Sequence, residues 1–570
     1  MSPELNFMVG GEAGQGVQSA GFLLAKCFAR GDYQVFADQD YESRIRGGHN
    51  FFRIRAANTR VGAVAEQVDV LIALNEETIR LHRDEVAPEG AIIYDGEKYT
   101  PEPGHCSLFS VPLSRLAGEA AGSGLSANVV AVGAALALVE CEPEIMETAL
   151  KQRFASGDVA EGNVAAARAG YDYARGNLMA ALGCRLQLSG VRRMLLTGNE
   201  ALALGAIAAG CRFVAAYPMT PATSIMEYLA EKAEAMGIVV VQPEDEIAAV
   251  NMAVGASFAG VRAMTATSGS GFCLMVEGLG LAGMTETPVV IVDAQRPGPA
   301  VGLPTRTEQG DLEFVIHAHH GDFPRAVLAP ATVADAFWLT TKAFNLAEKY
   351  QIPVIILTDQ HLASSYATVD EFDLSRITIE RGQLFPGDGV GDSEYRRHEV
   401  TRSGISPRAF PGGDGFLVAT DCDEHDESGH PAESAAIRNE QVQKRMRKAF
   451  SLRQDIAAPE TYGPKRAETA LIGWGSTYGA LREAVDILHK QGASVNLLHL
   501  REMWPFPSEA VVDAIDRTHR SFVVESNATG QLARLIQAET GREVTGRVLK
   551  YDGRPITPNY IVRRLEKEGV

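Results

Sequence analysis

One stretch, Ala216–Asp311, limits the fold of this chain more than any other. Four segments in it are Ala216-Tyr-Pro-Met-Thr-Pro-Ala-Thr223, Val241-Gln-Pro-Glu-Asp-Glu-Ile-Ala-Ala249, Thr265-Ala-Thr-Ser-Gly-Ser-Gly271 and Val292-Asp-Ala-Gln-Arg-Pro-Gly-Pro299. Each reads as the C-terminal end of a strand feeding a turn or a helix. Repeated strand–turn–helix punctuation predicts a parallel sheet in an α/β fold. Ligands of open α/β sheets sit at the C-terminal edge of the strands. The sequence therefore predicts a crevice that gathers Thr220, Glu246 and Arg296. Pro218 and Pro221 flank Thr220 and fix its turn. The threonine hydroxyl and nearby N–H groups then stay outside any strand ladder. Glu246 falls in the first turn of a helix expected over 245–260, where the helix dipole favours an acid whether or not it does chemistry.

At 570 residues the chain exceeds what a single hydrophobic core supports, and about 150 residues per domain gives three or four domains. The pattern divides it at 1–185, 190–365, 366–462 and 463–570. The first region alternates strands with helices and is expected to hold a parallel sheet. Its opening strand, Leu5–Val9, runs into Gly11-Glu-Ala-Gly-Gln-Gly-Val17. That glycine turn suits an anion at a helix N-terminus and equally suits a tight α/β turn with no ligand. Its spacing is G-x-x-G-x-G and no ribose-binding acid follows, which counts against a nicotinamide-dependent dehydrogenase. Further along, Arg44, Arg46 and His49 sit beside Gly47 and Gly48, as an exposed basic turn or an anion contact. Residues 366–462 are rich in glycine, proline and charge and read as ordered loops, with a basic helix over Gln441–Lys448. Residues 463–570 return to regular α/β, with no evident catalytic acid or nucleophile.

A net charge of −19 argues against general nucleic-acid binding, which needs a basic surface. The 7 cysteines form no C-x-x-C pair, so neither a disulfide framework nor a zinc or iron–sulfur ligand set is expected. No metal site is predicted in this chain. The longest apolar run, Val129–Val139, is far short of a membrane span, and no signal peptide is seen. A reducing cytoplasm is the expected location. Gly413-Asp-Gly415 followed by Asn439 imitates a magnesium–diphosphate motif. No apolar strand leads into it, and turn residues fill the interval where a helix should run, so it is set aside.

Taken together these segments resemble a known family. Residues 190–365 with 463–570 resemble the α subunit of 2-oxoacid:ferredoxin oxidoreductases, and residues 1–185 resemble that family's γ subunit fused in front. The likeness rests on Tyr217-Pro-Met-Thr-Pro-Ala-Thr223, Gln242-Pro-Glu-Asp-Glu-Ile-Ala-Ala249, Ala266-Thr-Ser-Gly-Ser-Gly-Phe272, Gln295-Arg-Pro-Gly-Pro299 with Gly302-Leu-Pro-Thr-Arg-Thr-Glu-Gln309, and Gly11-Glu-Ala-Gly-Gln-Gly-Val17. The nearest subgroup is the 2-oxoglutarate type. The resemblance implies a γ-type parallel-sheet domain, a pyrimidine-binding domain for thiamine diphosphate, a loop-rich insertion and a transketolase C-terminal-like domain.

It also implies a division of labour. A separate β subunit would supply the Mg2+–diphosphate site and a [4Fe-4S] cluster, in an α2β2 assembly that is inactive without β. Ferredoxin would take the electrons and coenzyme A the acyl group, giving succinyl-CoA and carbon dioxide from 2-oxoglutarate in a reversible reaction. Glu246 would face the aminopyrimidine, with Tyr217 and Pro218 beside the cofactor. Thr220 and Arg296 would hold the substrate's carboxylate or oxo group, and Arg306 its distal carboxylate. Gly11, Gly14, Gln15 and Gly16 would lie on the coenzyme A side. Pyruvate, branched-chain or aryl 2-oxoacids are the alternative substrates, and a non-catalytic partner-binding scaffold is the alternative of a different class.

Overall fold

Runs such as Val289–Gln295 and Pro353–Asp359 carry apolar residues on both faces, and in the structure every residue of both strands is buried. That is the burial expected of strands covered by helices on either side. The computed structural model describes residues 4–44, 47–154, 157–177, 186–188, 190–191, 193–386, 395–412 and 416–570. Arg46, Cys184 and the Gly413-Asp-Gly415 motif lie outside the described residues. The chain is a multidomain α/β protein that divides into two units. One comprises 1–197, 364–372 and 557–559, and the other the remainder.

The first unit is built on an 8-stranded sheet. Strands Ser107–Val111, Val86–Asp95, Val68–Ala73 and Leu5–Ala13 lie side by side and parallel, as expected. The other half is antiparallel. Gly47–Ala57 returns against Leu5–Ala13 and pairs with Gln34–Asp40. Tyr366–Val369 and Met194–Thr197 then complete the edge, also antiparallel. The parallel-sheet expectation thus holds for half of the sheet. Gly47, Gly48 and His49, expected in a basic turn, open the long strand Gly47–Ala57. Residues 366–369, read as the start of a loop, are a strand because they pair with segments distant in sequence. The Ala/Gly-rich helix Ala127–Leu138 is buried along Val129–Leu138. It lies against Asp158–Asn177 so closely that a Cβ at Gly170 would fall 2.0 Å from the Val130 carbonyl oxygen. Only glycine permits that approach. No helix among the described residues is long and apolar enough to cross a membrane.

In the second unit a 7-stranded sheet runs in the order Glu502–Trp504, Ala326–Leu328, Pro353–Asp359, Val289–Gln295, Ala263–Thr267, Phe213–Ala215, Val239–Val241. All pairings are parallel except that of the edge strand Glu502–Trp504. The helices Thr223–Met236, Glu246–Phe258, Gly269–Met284 and Val333–Tyr350 join its strands. A second, 5-stranded sheet holds Glu460–Tyr462, Val495–Leu500, Thr469–Trp474, Arg520–Glu525 and Gly546–Leu549. The two sheets contribute to one core that includes Ile291, Ile355, Trp474 and Val523.

Among the described residues between 373 and 434 few regular elements occur, as the composition predicts. The basic helix is longer than expected, spanning Ala435–Asp455, and Asn439 lies on it. Its buried positions include Lys444, Arg445 and Lys448. Arg445 pairs with Glu424, whereas Lys444 and Lys448 meet Glu286, which is 1% exposed. Lys444 Nζ lies 2.5 Å from its Oε1, Lys448 Nζ 2.5 Å from its Oε2, and His398 Nδ1 3.0 Å from its Oε1. The lysines hold the Glu286 carboxyl well below the usual range against the pull of burial. Burial pushes Lys448 down to about 7.

Candidate active site

The strand Phe213–Ala215 ends where Tyr217 and Pro218 begin an exposed turn, and Tyr217 is 37% exposed. The peptide bond between Thr220 and Pro221 is cis. Arg296 follows immediately on Val289–Gln295, and its Nη1 donates to the Thr220 carbonyl oxygen at 2.8 Å. The structure therefore brings Thr220 and Arg296 together through the threonine backbone, leaving the hydroxyl out of that contact. Ser270 at the start of Gly269–Met284 reaches the same turn, its hydroxyl 3.3 Å from the Met219 sulfur.

Glu246 opens the helix Glu246–Phe258, but it does not cap it. Asp245 does, accepting a hydrogen bond from the Ala248 N–H at 2.8 Å. Capping is thus satisfied by the neighbouring acid. Glu246 is nevertheless 3% exposed, and its Oε1 has no hydrogen-bond partner. A buried carboxylate oxygen without a partner costs folding free energy, on the order of 1–3 kcal/mol. Gly271 lies against it, so that a Cβ there would stand 2.5 Å from Oε1. Only glycine permits the helix Gly269–Met284 to pack that closely against the oxygen.

More unpartnered polar atoms occur around the same strand ends. They are Thr265 Oγ1, Ser268 Oγ, both carboxylate oxygens of Asp293, Arg296 Nε and Asp311 Oδ2. Asp293 is fully buried and faces Thr267 across the parallel ladder. Burial, then the charge of Asp311, pushes the Asp293 carboxyl well above the usual range. Asp311 donates its backbone N–H to Gln295 Oε1 at 3.0 Å. Its carboxyl is pushed up to about 6 by burial, with Arg296 pulling it down. Glu308 is pushed up to about 7 by burial and by Asp311. Burial likewise lowers Arg296, and Asp311 opposes that. Sequence reasoning missed Asp293, Glu308 and Asp311. The available signal was their place in Val292-Asp-Ala-Gln-Arg-Pro and Thr307-Glu-Gln-Gly-Asp311, the same segments that carry Arg296.

Arg306 lies further along that loop, where a Cβ at Gly553 would be 3.1 Å from the arginine Cβ. In the first unit, Gly14 and Gly16 take φ of 97° and 75°, the left-handed region that favours glycine. Gln15 Oε1 accepts from the Glu12 N–H at 2.9 Å, and Asn128 Nδ2 donates to the Gly16 carbonyl oxygen at 3.2 Å. Gly16 then caps Val17–Arg30. His49 is paired with His82, Nε2 to Nε2 at 2.7 Å, and Arg44 is exposed beside Glu42.

Similarity to known proteins runs along the whole chain. Residues 6–173 match the family described as pyruvate ferredoxin/flavodoxin oxidoreductase. Residues 204–444 match its thiamine diphosphate-binding domain, and 467–561 its core domain II. A 2-oxoacid:ferredoxin oxidoreductase α subunit from Sulfolobus sp. is 34% identical, over 99% of this chain and 96% of that one. The chain belongs to the 2-oxoacid:ferredoxin oxidoreductase family. As such it is a subunit of a thiamine diphosphate-dependent enzyme whose electron acceptor is ferredoxin. The 2-oxoglutarate synthase subunit KorA of Archaeoglobus fulgidus is 35% identical over 66% of this chain and 99% of its own length. A solved 2-oxoglutarate:ferredoxin oxidoreductase from Magnetococcus marinus, with 2-oxoglutarate, coenzyme A and succinyl-CoA bound, is 35% identical. It covers 100% of both chains with a TM-score of 0.92.

Proposed function

We propose that this member of the family acts on 2-oxoglutarate, and that Glu246, Thr220 and Arg296 are its working residues. The observation that carries the site assignment is the Glu246 carboxylate, buried and with Oε1 unpartnered at the strand edge. A ring nitrogen of thiamine would supply the hydrogen-bond partner that Oε1 lacks. Tyr217 and Pro218 would border the same ring. When bound, the cofactor supplies a carbon nucleophile for the 2-oxo carbon and a sink for the electrons left by loss of carbon dioxide. Glu246 holds a proton on Oε1 toward the ring nitrogen and so sets the cofactor's tautomer. Arg296, anchored to the Thr220 carbonyl by one Nη, turns its remaining N–H groups to the substrate carboxylate. The Thr220 hydroxyl donates to the same carboxylate or to the oxo group. Arg306 is the candidate for the distal carboxylate of a dicarboxylic substrate.

The 2-oxoglutarate reading is supported by the KorA relatives and by the full-length likeness to an enzyme solved with 2-oxoglutarate. On this reading a β subunit provides the Mg2+–diphosphate and [4Fe-4S] sites in an α2β2 cytoplasmic enzyme. Coenzyme A is the acyl acceptor, with Gly11, Gly14, Gln15 and Gly16 as anion contacts at a helix N-terminus. The four sequence regions then act as γ-type, pyrimidine-binding, insertion and transketolase C-terminal-like domains.

The test is to co-express the chain anaerobically with the β partner and follow coenzyme A-dependent ferredoxin reduction with a panel of 2-oxoacids. The reading predicts that 2-oxoglutarate gives the highest kcat/KM and that the chain alone is inactive. Preference for pyruvate or a branched-chain acid would overturn the substrate assignment and leave the site assignment standing. Activity unchanged in Glu246→Gln would overturn the site assignment.

A further inference from the structure

Arg325 is 2% exposed, and no carboxylate is paired with it among the described residues. Its Nη1 donates to the carbonyl oxygens of Val315 and Ala318, at 3.3 and 2.6 Å. Its Nε and Nη2 have no hydrogen-bond partner among the described residues. Other buried arginines of the second unit are better served. Arg262 and Arg408 pair with Glu348 at 2.8 and 2.7 Å, and Arg445 with Glu424 at 2.9 Å. A buried charge is ordinarily paired, because the hydration it loses must be replaced. Arg325 has only neutral carbonyls in exchange, and burial pushes it down to about 10.

This arginine lines a cavity of about 240 Å³. The Phe323 ring centroid lies 4.6 Å from Arg325 Cζ, a stacking contact that holds the guanidinium. Met446 and Leu452 of Ala435–Asp455, with Trp504 of the edge strand, give the cavity apolar walls. Asp322 and Arg453 also line it, but both are exposed and opposite in charge. The buried guanidinium is thus left without a counter-charge. Nε and Nη2 form one edge of the guanidinium fork. Arg53 uses the same two nitrogens to grip Asp38, at 3.0 and 2.7 Å. A carboxylate matches that edge with two charge-assisted bonds. Pockets for drug-sized ligands run to about 300–1,000 Å³, so this one suits a smaller body.

Its place in the fold separates it from the candidate active site. Arg325 immediately precedes Ala326–Leu328, which runs parallel to Pro353–Asp359 and through it to Val289–Gln295. Arg296 follows the end of Val289–Gln295. The two arginines therefore stand at opposite edges of one sheet, about 20 Å apart along the strands at 3.3 Å per residue.

We propose that the cavity at Arg325 is a second ligand site, which takes a small monocarboxylate with a flat apolar body. The carboxylate pairs with Nε and Nη2 of Arg325, and the body lies against Met446, Leu452 and Trp504. The site stands apart from the substrate assignment, since the 2-oxoacid belongs at the other edge of the sheet.

The experiment is calorimetric titration of the assembled enzyme with phenylacetate, with benzyl alcohol and inorganic phosphate as controls. Phenylacetate should bind once per chain, with benzyl alcohol and phosphate at least tenfold weaker, and saturating 2-oxoglutarate should not displace it. Arg325→Met should weaken phenylacetate by roughly ten- to a hundredfold, the worth of a charge-assisted bond. Because Arg325 also holds two carbonyls, Met446→Trp is the second variant. It fills the cavity from an exposed position and should weaken binding at least tenfold with the melting temperature and 2-oxoacid turnover unchanged. Absence of phenylacetate binding at millimolar concentration would overturn the proposal. Equal binding of benzyl alcohol or phosphate, displacement by 2-oxoglutarate, or undiminished affinity in Met446→Trp would do the same.

Discussion

Two buried charged clusters in the second unit meet the cost of desolvation in opposite ways. Around Glu286, both carboxylate oxygens face a lysine at 2.5 Å and a histidine adds a third contact. Around Glu246 and Arg296, one carboxylate oxygen, a guanidinium nitrogen, two hydroxyls and three oxygens of two aspartates have no partner. Breaking a buried pair exposes an uncompensated charge, whereas an unfilled site gains nothing from the charge it holds. The first cluster is therefore structural, tying Ala435–Asp455 and the loop segment containing His398 to the end of Gly269–Met284. The second is unsaturated, as the proposed ligand site requires, and it stands at the ends of two fully buried strands. Both are acidic residues in an α/β core, so burial alone does not tell them apart. Saturation does.

The contrast can be broken at several points. Glu246→Gln should lower turnover by about a hundred- to ten-thousandfold in the assembled enzyme, the range of a general acid–base contribution. Its check is steady-state ferredoxin reduction. Glu286→Ala should leave two buried ammonium groups uncompensated and cost about 3–5 kcal/mol of stability, measured by chemical denaturation. Turnover per folded molecule should be little changed. Arg296→Lys should raise KM by roughly ten- to a hundredfold, the worth of a charge-assisted bond, with a smaller effect on kcat.

The smallest effect is on stability against pH. Asp311 has its carboxyl held near 6 in the fold against 3.8 when unfolded. The fold therefore favours its protonated form, a contribution present below about pH 4 and lost as pH rises through about 6. Asp311→Asn should consequently be more stable than the unmodified chain by about 2 kcal/mol near pH 8, with the gain shrinking toward pH 5. Denaturation midpoints at the two pH values check this.

The placement of Thr220, Glu246 and Arg296 at one sheet edge was legible because each follows a strand end marked by proline, glycine or a first helical turn, all local signals. Asp293, Glu308 and Asp311 were not, because an acid at a strand end reads alike whether it is solvated or buried. The Glu286 cluster was hidden for a related reason. Gln441–Lys448 reads as a solvated basic helix, yet Lys444 and Lys448 are fully buried against an acid far away in sequence. The antiparallel half of the first sheet was also missed, since Met194–Thr197 and Tyr366–Val369 find their partners only through long-range pairing. The Gly16 turn was visible, but nothing local distinguishes an anion site from a turn held by Gln15 and Asn128.

The claim that Glu246 serves a ligand and not the fold is tested most directly by the melting temperature of the cofactor-free Glu246→Gln protein. Replacing an unpartnered buried carboxylate with a neutral amide should leave the melting temperature equal or higher, while the same protein has lost turnover. A melting temperature lower by several degrees would contradict the account, because Glu246 would then be holding the structure together as Glu286 does.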